Sequence, residues 1–484
     1  SYIARDALVY AEDGVKRPLH NPRLTSLARE IRRGSIYDRN GVLLATSSWD
    51  ELEKNRPALE KFGVSIEHCC SLRDSRYYPF GADAVHLLGD WKTGENFHAS
   101  NSSLVEHDAN TRLQGYANIH DLARLVRYRH QPLNPELDAL LKADRTVRLS
   151  VDIRLQKQLA SLLRTRLQAS GKRGAAVVMS AQSGDVLALA SFPTPPEDGP
   201  ATPDELLDRA RYGQYSPGST FKLVTAIAAL RRDPGLKDRA YACRRLPDGR
   251  AGTPIPGWRK LIRDDVGDSA HGTLSMSRAI AVSCNAYFAQ LGVYDVGAKA
   301  LHDTADLLEL PAGTIPELQK MLPFAAYGQG PVLVTPFKMA RVVSAIAAGG
   351  QMPQGRWVTG PSGSRRDSPR MVLGSGDAGF LAGAMRSVVT AGTARHAMAG
   401  IDISVAGKTG TAQTGEGDPH SWFAGFAPYD GPADQRIALA VVVEHGGYGA
   451  QVAAPLARQI FESARDLGLI RTVPAAGSST EQKR

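Results

Sequence analysis

The pattern of hydrophobic and polar positions is clearest between residues 149 and 467. Short apolar runs, several of them alternating, predict strands at 174–179, 185–190, 401–412, 422–426 and 437–443. Longer apolar or amphipathic segments predict helices at 156–167, 223–230, 274–292, 335–348 and 452–467. The segments 231–272 and 349–372 are rich in Gly, Pro and charged residues, which predicts loops. We expect one mainly antiparallel, five-stranded sheet flanked by helices, an α/β (α+β) domain.

The first 148 residues show a different pattern, polar and rich in arginine. A strand, an Asn40-Gly41 turn and a second strand are predicted within 33–45, and a short helix at 121–129. Because apolar residues are sparse here, we expect an extended, non-catalytic N-terminal module at 1–148, followed by the sheet domain at 149–470. The last residues, 471–484, are small and polar and are predicted to form a flexible tail.

Composition and charge narrow the function classes. The 484 residues carry a formal net charge of +9, which suits nucleic acid, anionic lipid or an anionic polymer such as cell wall. The arginines are dispersed and no nucleic-acid motif is present, so we expect no nucleic-acid partner. No apolar run approaches the ~18 residues of a membrane span. Since the chain begins at Ser1 without a methionine, we expect a processed product or an upstream targeting segment that is missing.

The four cysteines, Cys69, Cys70, Cys243 and Cys284, show neither Cys-x-x-Cys nor Cys/His zinc spacing. We therefore expect no metal and no cofactor. Cys243 and Cys284 could form a bridge in an oxidising compartment or remain free buried thiols. The sequence leaves both open, and the second is favoured.

The candidate chemistry begins at Ser219. A Pro217-Gly218 turn leads directly into an apolar helix, and Ser219 and Lys222, three residues apart, share one side of it. The start of a helix presents unpaired backbone N–H groups and a partial positive charge. A serine there can act as a nucleophile, with the lysine as its base and the N–H groups stabilising the charge that develops.

Two further short motifs occur in the chain. Ser-x-Asn is found once, at Ser283 and Asn285, and Lys-Thr-Gly twice, at Lys92 and Lys408. The Lys92 copy lies in a polar stretch and is interpreted as a solvated turn. The Lys408 copy ends an alternating strand, and Gly410 removes a side chain where a neighbour could approach that strand closely.

Ser-x-x-Lys, Ser-x-Asn and Lys-Thr-Gly, in this order, are the motif set of penicillin-binding proteins and class A β-lactamases. The chain resembles a class B penicillin-binding protein, a peptidoglycan D,D-transpeptidase. Outside the three motifs, the resemblance is carried by residues 33–41, 150–156, 178–193, 327–330 and 420–425. Two features depart from the pattern. Cys284 stands where the β-lactamase motif has Asp, and Leu104-Val105-Glu106 only roughly matches the family's Gly-hydrophobic-Glu segment.

The resemblance implies a role for each motif residue. Ser219 attacks the carbonyl of the penultimate D-Ala of a stem peptide to form an acyl-enzyme, and Lys222 accepts its proton. Ser283 relays a proton to the leaving D-Ala, and Asn285 holds the substrate amide. A second peptide's amine then takes the acyl group. No deacylating glutamate of the class A β-lactamase kind is identified, so we expect slow deacylation and inhibition by β-lactams.

The resemblance also implies how the substrate carboxylate is bound. Lys408 attracts it and helps to keep Lys222 neutral, while the hydroxyls of Thr409 and Thr411 donate hydrogen bonds to it. The backbone N–H groups of Ser219 and Thr411 form the oxyanion hole.

The implied setting is the outer face of a bacterial cytoplasmic membrane, reached through an anchor upstream of Ser1. The implied partners are stem peptides on lipid-linked precursor strands, β-lactams and a polytopic glycosyltransferase. Two other hypotheses stay open: a D,D-carboxypeptidase, in which water replaces the acceptor amine, and a β-lactam sensor or scaffold of the wall-synthesis complex. The long N-terminal module favours the transpeptidase, and the intact motif set argues against an idle scaffold.

Overall fold

The structure is a computed structural model. The chain forms two compact units. The first contains the described residues up to Ser150 together with residues 357–359, and the second contains the described residues of 151–356 and those from 368 onward. Among the described residues, no helix combines the length and apolarity needed to cross a membrane. The described residues are 21–89, 104–128, 131, 134–196, 199–359, 368–415 and 417–470, with the backbone of the strands Ala7–Tyr10 and Lys16–Leu19.

The first unit combines two small sheets with short helices. Ala7–Tyr10 pairs with Lys16–Leu19 in an antiparallel ribbon. The second sheet has four strands, in the order Val358–Thr359, Val147–Leu149, Ile36–Tyr37 and Leu43–Ala45. The hairpin predicted within 33–45 is confirmed, with shorter strands, and Gly41 adopts the positive φ that its turn requires. The helices are Pro22–Glu30, Trp49–Lys54, Arg56–Glu60, Ile66–Cys69, Val85–Leu88, Val105–Asp108, Asn110–Gln114 and Pro135–Lys142.

The helix predicted at 121–129 is wrong. Two separate 3-10 turns, Ile119–Leu122 and Val126–Tyr128, take its place. Leu122 and Leu125, three residues apart, both pack into the apolar cluster of this unit. Leu125 lies between the two turns, and its backbone N–H donates to the Leu122 carbonyl oxygen at 2.9 Å, an i to i+3 hydrogen bond of the 3-10 kind.

The first unit contains a group of buried charges. The Glu106 carboxylate, wholly buried, accepts hydrogen bonds from Arg33 Nε at 2.8 Å and from Arg76 Nε at 2.7 Å. The same arginines also donate to the carbonyl oxygens of Glu106 and Gly34, at 2.7 Å each. Each buried guanidinium therefore pairs with the Glu106 carboxylate, although Nη2 of Arg76 has no hydrogen-bond partner among the described residues.

The second unit is built on a five-stranded sheet in which every pair of neighbouring strands is antiparallel. All residues of its central strand are buried, so both faces of the sheet are covered. This confirms the predicted five-stranded sheet flanked by helices. The strand order is Ala406–Ala412, His420–Ala427, Ile437–Val443, Gly174–Ser180 and Val186–Phe192.

Helices cover the sheet in two groups. Ile153–Leu167 and Ala453–Asp466 pack on the sheet and on each other, as do Pro336–Ala347 and Ser375–Ala391. The helices predicted at 156–167, 335–348 and 452–467 are thereby confirmed within a few residues. The remaining helices are Pro203–Leu206, Lys222–Arg232, Met276–Val282, Asn285–Leu291, Gly297–Leu307 and Ile315–Ala325.

Two predictions for this unit need correction. The segment 231–272, predicted as loop, contributes to a small antiparallel sheet whose strands, two to five residues long, are too short to show a period. The strand predicted at 401–412 begins only at Ala406, because its neighbouring strand ends at Ala427 and leaves 401–405 without a ladder partner. The strands of the small sheet are Ile262–Arg263, Ala251–Thr253, Tyr241–Arg245 and Gly272–Leu274, in spatial order. A further pair is Gln351–Met352 with Arg370–Met371.

Candidate active site

Ser219 lies in a single 3-10 turn, Gly218–Phe221, that continues into the helix Lys222–Arg232. The helix is almost wholly buried, as its sequence predicts. Gly218 has a φ of +51°, and a Cβ added to it would lie 2.5 Å from the carbonyl oxygen of Thr411. Only glycine permits this approach. It brings the backbone of the turn that carries Ser219 against the Lys-Thr-Gly strand.

The same turn is held by a residue outside the three motifs. The indole Nε1 of Trp422, on the neighbouring strand, donates a hydrogen bond of 3.1 Å to the carbonyl oxygen of Ser216. A Cβ on Gly410 would lie 2.9 Å from Thr220 Cγ2 and 3.1 Å from the Pro217 carbonyl oxygen. The neighbour that approaches Gly410 is therefore the turn that carries Ser219.

Neutral oxygens surround the ammonium group of Lys222, which is wholly buried. Its Nζ lies 3.0 Å from Ser219 Oγ, 2.7 Å from Asn285 Oδ1 and 3.2 Å from Ser283 Oγ, and it also contacts the Ser283 carbonyl oxygen. Burial lowers the pKa of Lys222 from 10.5 to about 8, although the charge of Asp264 opposes the shift.

The predicted helix 274–292 is interrupted at the Ser-x-Asn motif. Ser283 adopts a left-handed φ of +59° between the helices Met276–Val282 and Asn285–Leu291. This conformation is uncommon for a residue with a side chain. Asp264 supports it from another element, since its Oδ1 accepts from the backbone N–H groups of Asn285 and of the residue after it. Sequence reasoning missed Asp264, which is one of six aspartates in a segment predicted to be loop.

Lys408 is the second buried lysine of the site. Its Nζ donates to Ser283 Oγ at 2.7 Å and to the Thr409 carbonyl oxygen at 2.9 Å. Burial, followed by the charge of Lys222, holds the pKa of Lys408 well below 10.5. Ser283 therefore connects two lysines whose positive charges disfavour each other.

The threonines of the Lys-Thr-Gly strand complete the predicted set. Thr409 and Thr411, two apart on one strand, have side chains on the same face. Thr411 Oγ1 accepts a hydrogen bond from the Gly449 N–H at 3.3 Å, and Thr409 Oγ1 lies 2.6 Å from Thr393 Oγ1. Thr393 belongs to none of the three motifs and was missed by sequence reasoning.

The structure thus brings the predicted residues of the three motifs into one site. Hydrogen bonds connect five of them directly: Ser219, Lys222, Ser283, Asn285 and Lys408. The other Lys-Thr-Gly copy, at Lys92, and the predicted tail at 471–484 lie outside the described residues.

Four potential metal ligands lie beside the Ser-x-Asn motif. The ligand atoms of Cys243, Asp264, His271 and Cys284 lie within 4.8 Å of one another and could hold a metal ion. Both cysteines are free, buried thiols, and their Sγ atoms lie 3.1 Å and 3.2 Å from Asp264 Oδ2. The sequence shows no ligand spacing because these residues are widely separated along the chain.

Comparisons with known proteins match this architecture. Residues 174–462 match the family described as "Penicillin binding protein transpeptidase domain". The peptidoglycan D,D-transpeptidase PbpA of Mycobacterium tuberculosis is 29% identical over 348 residues, which cover 60% of this chain and 67% of that protein. The peptidoglycan D,D-transpeptidase MrdA of Haemophilus influenzae is 26% identical over 535 residues, covering 91% and 76%.

A solved structure of a penicillin-binding protein is also similar to this chain. The penicillin G acyl-enzyme complex of penicillin-binding protein A from M. tuberculosis has a TM-score of 0.68 and 25% identity, covering 90% of this chain and 99% of that one. The matched family covers more than half of the chain, including all three motifs. The chain belongs to the penicillin-binding protein transpeptidase family, and among its members it is a class B penicillin-binding protein.

Proposed function

We propose that this protein cross-links peptidoglycan as a D,D-transpeptidase, through an acyl-enzyme on Ser219 formed from a stem peptide ending in D-Ala-D-Ala. One observation carries the proposal: a wholly buried lysine amine lies 3.0 Å from the hydroxyl of a serine at the start of a helix. The relatives named peptidoglycan D,D-transpeptidase, and the penicillin G acyl-enzyme of a similar structure, support it.

In the proposed acylation, Lys222 acts as the general base in its neutral form. A neutral amine has two hydrogens and one lone pair. Its hydrogens fit the Ser283 carbonyl oxygen and Asn285 Oδ1, which can only accept. The lone pair is then directed at the hydroxyl of Ser219 and takes its proton as Oγ attacks the penultimate D-Ala carbonyl.

Collapse of the tetrahedral intermediate breaks the bond to the terminal D-Ala, whose nitrogen needs a proton. Ser283 Oγ lies 3.2 Å from the Lys222 amine and 2.7 Å from that of Lys408. We assign Ser283 the transfer of this proton, with Lys408 replacing it. The backbone N–H groups of Ser219 and Thr411 hold the oxyanion, and the close approach of Gly218 to Thr411 supports this role.

Deacylation repeats these steps in reverse. The amine of a second stem peptide enters where D-Ala left, loses a proton through Ser283 to Lys408 and attacks the acyl carbonyl. As the ester bond breaks, Lys222 returns its proton to Ser219 Oγ. A β-lactam opens its ring on Ser219 in the same way, and its amine cannot leave because it stays tethered to the acyl group. The protein is therefore acylated and remains inhibited.

The setting of the reaction is part of the proposal. Peptidoglycan strands are assembled outside the cytoplasm, so this protein acts at the outer face of the membrane. An upstream anchor and a polytopic glycosyltransferase partner stay predictions from the family resemblance.

Labelling with a fluorescent penicillin tests the proposed mechanism. We expect one covalent adduct per chain, which mass spectrometry assigns to the peptide containing Ser219. Ser219→Ala should abolish the adduct, whereas Ser183→Ala, at the turn between two sheet strands, should retain it. An unlabelled protein, or equal labelling of the Ser219→Ala variant, would contradict the mechanism.

A further inference from the structure

Thr393 connects the Ser-x-Asn and Lys-Thr-Gly elements. It lies just beyond the helix Ser375–Ala391, and its backbone N–H donates to the carbonyl oxygen of Ala281 at 3.2 Å, two residues before Ser283. A Cβ on Gly392 would lie 2.2 Å from that same oxygen, so the loop is pressed against the end of the helix. On its other side, Thr393 Oγ1 lies 2.6 Å from Thr409 Oγ1.

A hydroxyl group carries one hydrogen and two acceptor lone pairs, so its partners decide where that hydrogen points. Thr411 Oγ1 accepts from the Gly449 N–H, which can only donate, and the Thr411 hydrogen is therefore available to a ligand. Thr409 has a hydroxyl as its neighbour instead, and either of the two oxygens can be the donor. When Thr393 donates, the Thr409 hydrogen also becomes available, and two neighbouring hydroxyls then offer hydrogens to one ligand.

We propose that Thr393 is a positioning residue that donates to Thr409 and directs the Thr409 hydrogen at the terminal carboxylate of the donor peptide. This inference rests on the proposed function. Thr409 and Thr411 lie on one face of the strand, so together they supply one hydrogen to each oxygen of a carboxylate. Lys408, whose Nζ donates to the Thr409 carbonyl oxygen, adds positive charge when it is protonated. The contribution of Thr393 is specific to substrates that carry this carboxylate.

The test compares two probes that differ only in the carboxylate: benzylpenicillin and its methyl ester. Thr393→Val removes the hydroxyl and keeps the shape of the side chain. We expect it to lower the second-order acylation constant for benzylpenicillin by about two- to tenfold, as the loss of one hydrogen bond between neutral groups does. For benzylpenicillin, the variant should differ from the wild-type protein in the saturation constant and not in the limiting rate of acylation. The methyl ester should acylate the variant as fast as it acylates the wild-type protein. Thr393→Ser should restore the benzylpenicillin constant.

Two results would overturn the inference: equal loss with both probes, which a structural role would cause, or no loss with either. A double-mutant cycle adds a second criterion, since Thr393→Val should have no further effect in a Thr409→Val background. If Thr393→Val does not fold, the acylation constants of Thr393→Ala, which lacks the hydroxyl, and Thr393→Ser, which keeps it, are compared instead. If penicillin does not acylate the wild-type protein, the proposed function itself is contradicted. If the wild-type protein is acylated normally but Thr393→Val leaves the ratio of the acylation constants for benzylpenicillin and its methyl ester unchanged, only the role of Thr393 is contradicted.

Discussion

Two of the clusters in which this protein buries positive charge accommodate that charge differently. In the first unit, Arg33 and Arg76 share the carboxylate of Glu106. In the second unit, Lys222 and Lys408 are as deeply buried. Among the described residues, however, each hydrogen-bond partner of their Nζ atoms is a neutral oxygen.

The difference follows from what each side chain can do when water is removed. A guanidinium does not lose its proton in proteins, so buried arginines need an anion, which Glu106 supplies. A lysine that lacks such a partner lowers its pKa and can release its proton. In one unit an anion compensates the buried charge, and in the other burial lowers the pKa of the lysine that we propose as the proton acceptor. Charge compensation, more than burial, distinguishes a structural ionic cluster from a reactive one.

The largest effect is expected at the paired cluster. Glu106→Gln keeps the shape of the side chain but leaves two buried arginines without their anion. We expect the free energy of unfolding of the first unit to fall by about 3–5 kcal/mol, the usual cost of breaking a buried ion pair. Chemical denaturation of the full chain measures it. The matched control is Asp138→Asn, which breaks an exposed pair with Lys142 in the same unit and should leave the midpoint nearly unchanged. Equal midpoints for the two variants would refute the comparison.

The second largest effect is expected on the acylation rate when Lys222, which has no carboxylate as a hydrogen-bond partner, is replaced. Lys222→Met removes the amine and keeps the apolar stem. We expect acylation by penicillin to fall by at least ~100-fold, because general-base catalysis contributes about that much, while the variant stays folded. Stopped-flow or gel-based labelling gives the rate. Lys92→Ala, in the other Lys-Thr-Gly copy, serves as the control and should acylate normally. A folded Lys222→Met variant with a near-normal rate would remove Lys222 from the role of base.

The third and smallest effect is a pH dependence. Since the pKa of Lys222 is lowered from 10.5 to about 8, the neutral amine becomes abundant above pH 8, and the acylation rate should rise through that pH and then level off.

The free energy of unfolding should also rise with pH. Between about pH 8 and 10.5 the unfolded chain binds this proton more tightly than the folded chain, so the free energy of unfolding gains from Lys222 as pH rises. Lys222→Met should lose both dependences, and an acylation rate that is flat from pH 6 to 9 would contradict the assignment.

Four of the five main strands were predictable because each contains a run of apolar residues that is buried on both sides of the sheet. The fifth, Ala406–Ala412, contains no such run. Short elements were not. The strands within 231–272 are too short for periodicity, and 401–405 has the alternation of a strand but no neighbour to pair with. The helix predicted through Ser283 is broken by a left-handed residue that apolar content cannot reveal.

By itself, the sequence determined which residues form the motifs and which strands and helices carry them. Motifs are recognised by the spacing of nearby residues, and strands and helices by the local pattern of apolar residues. Only the tertiary structure decided how those residues act on one another. It removed water from Lys222 and Lys408, placed Ser283 between them, and brought Asp264 and Thr393 to the site from segments without a motif. The physical reason is that desolvation and hydrogen bonding depend on atoms that are neighbours in space, and these neighbours are up to 186 residues apart, as between Lys222 and Lys408 (408 minus 222).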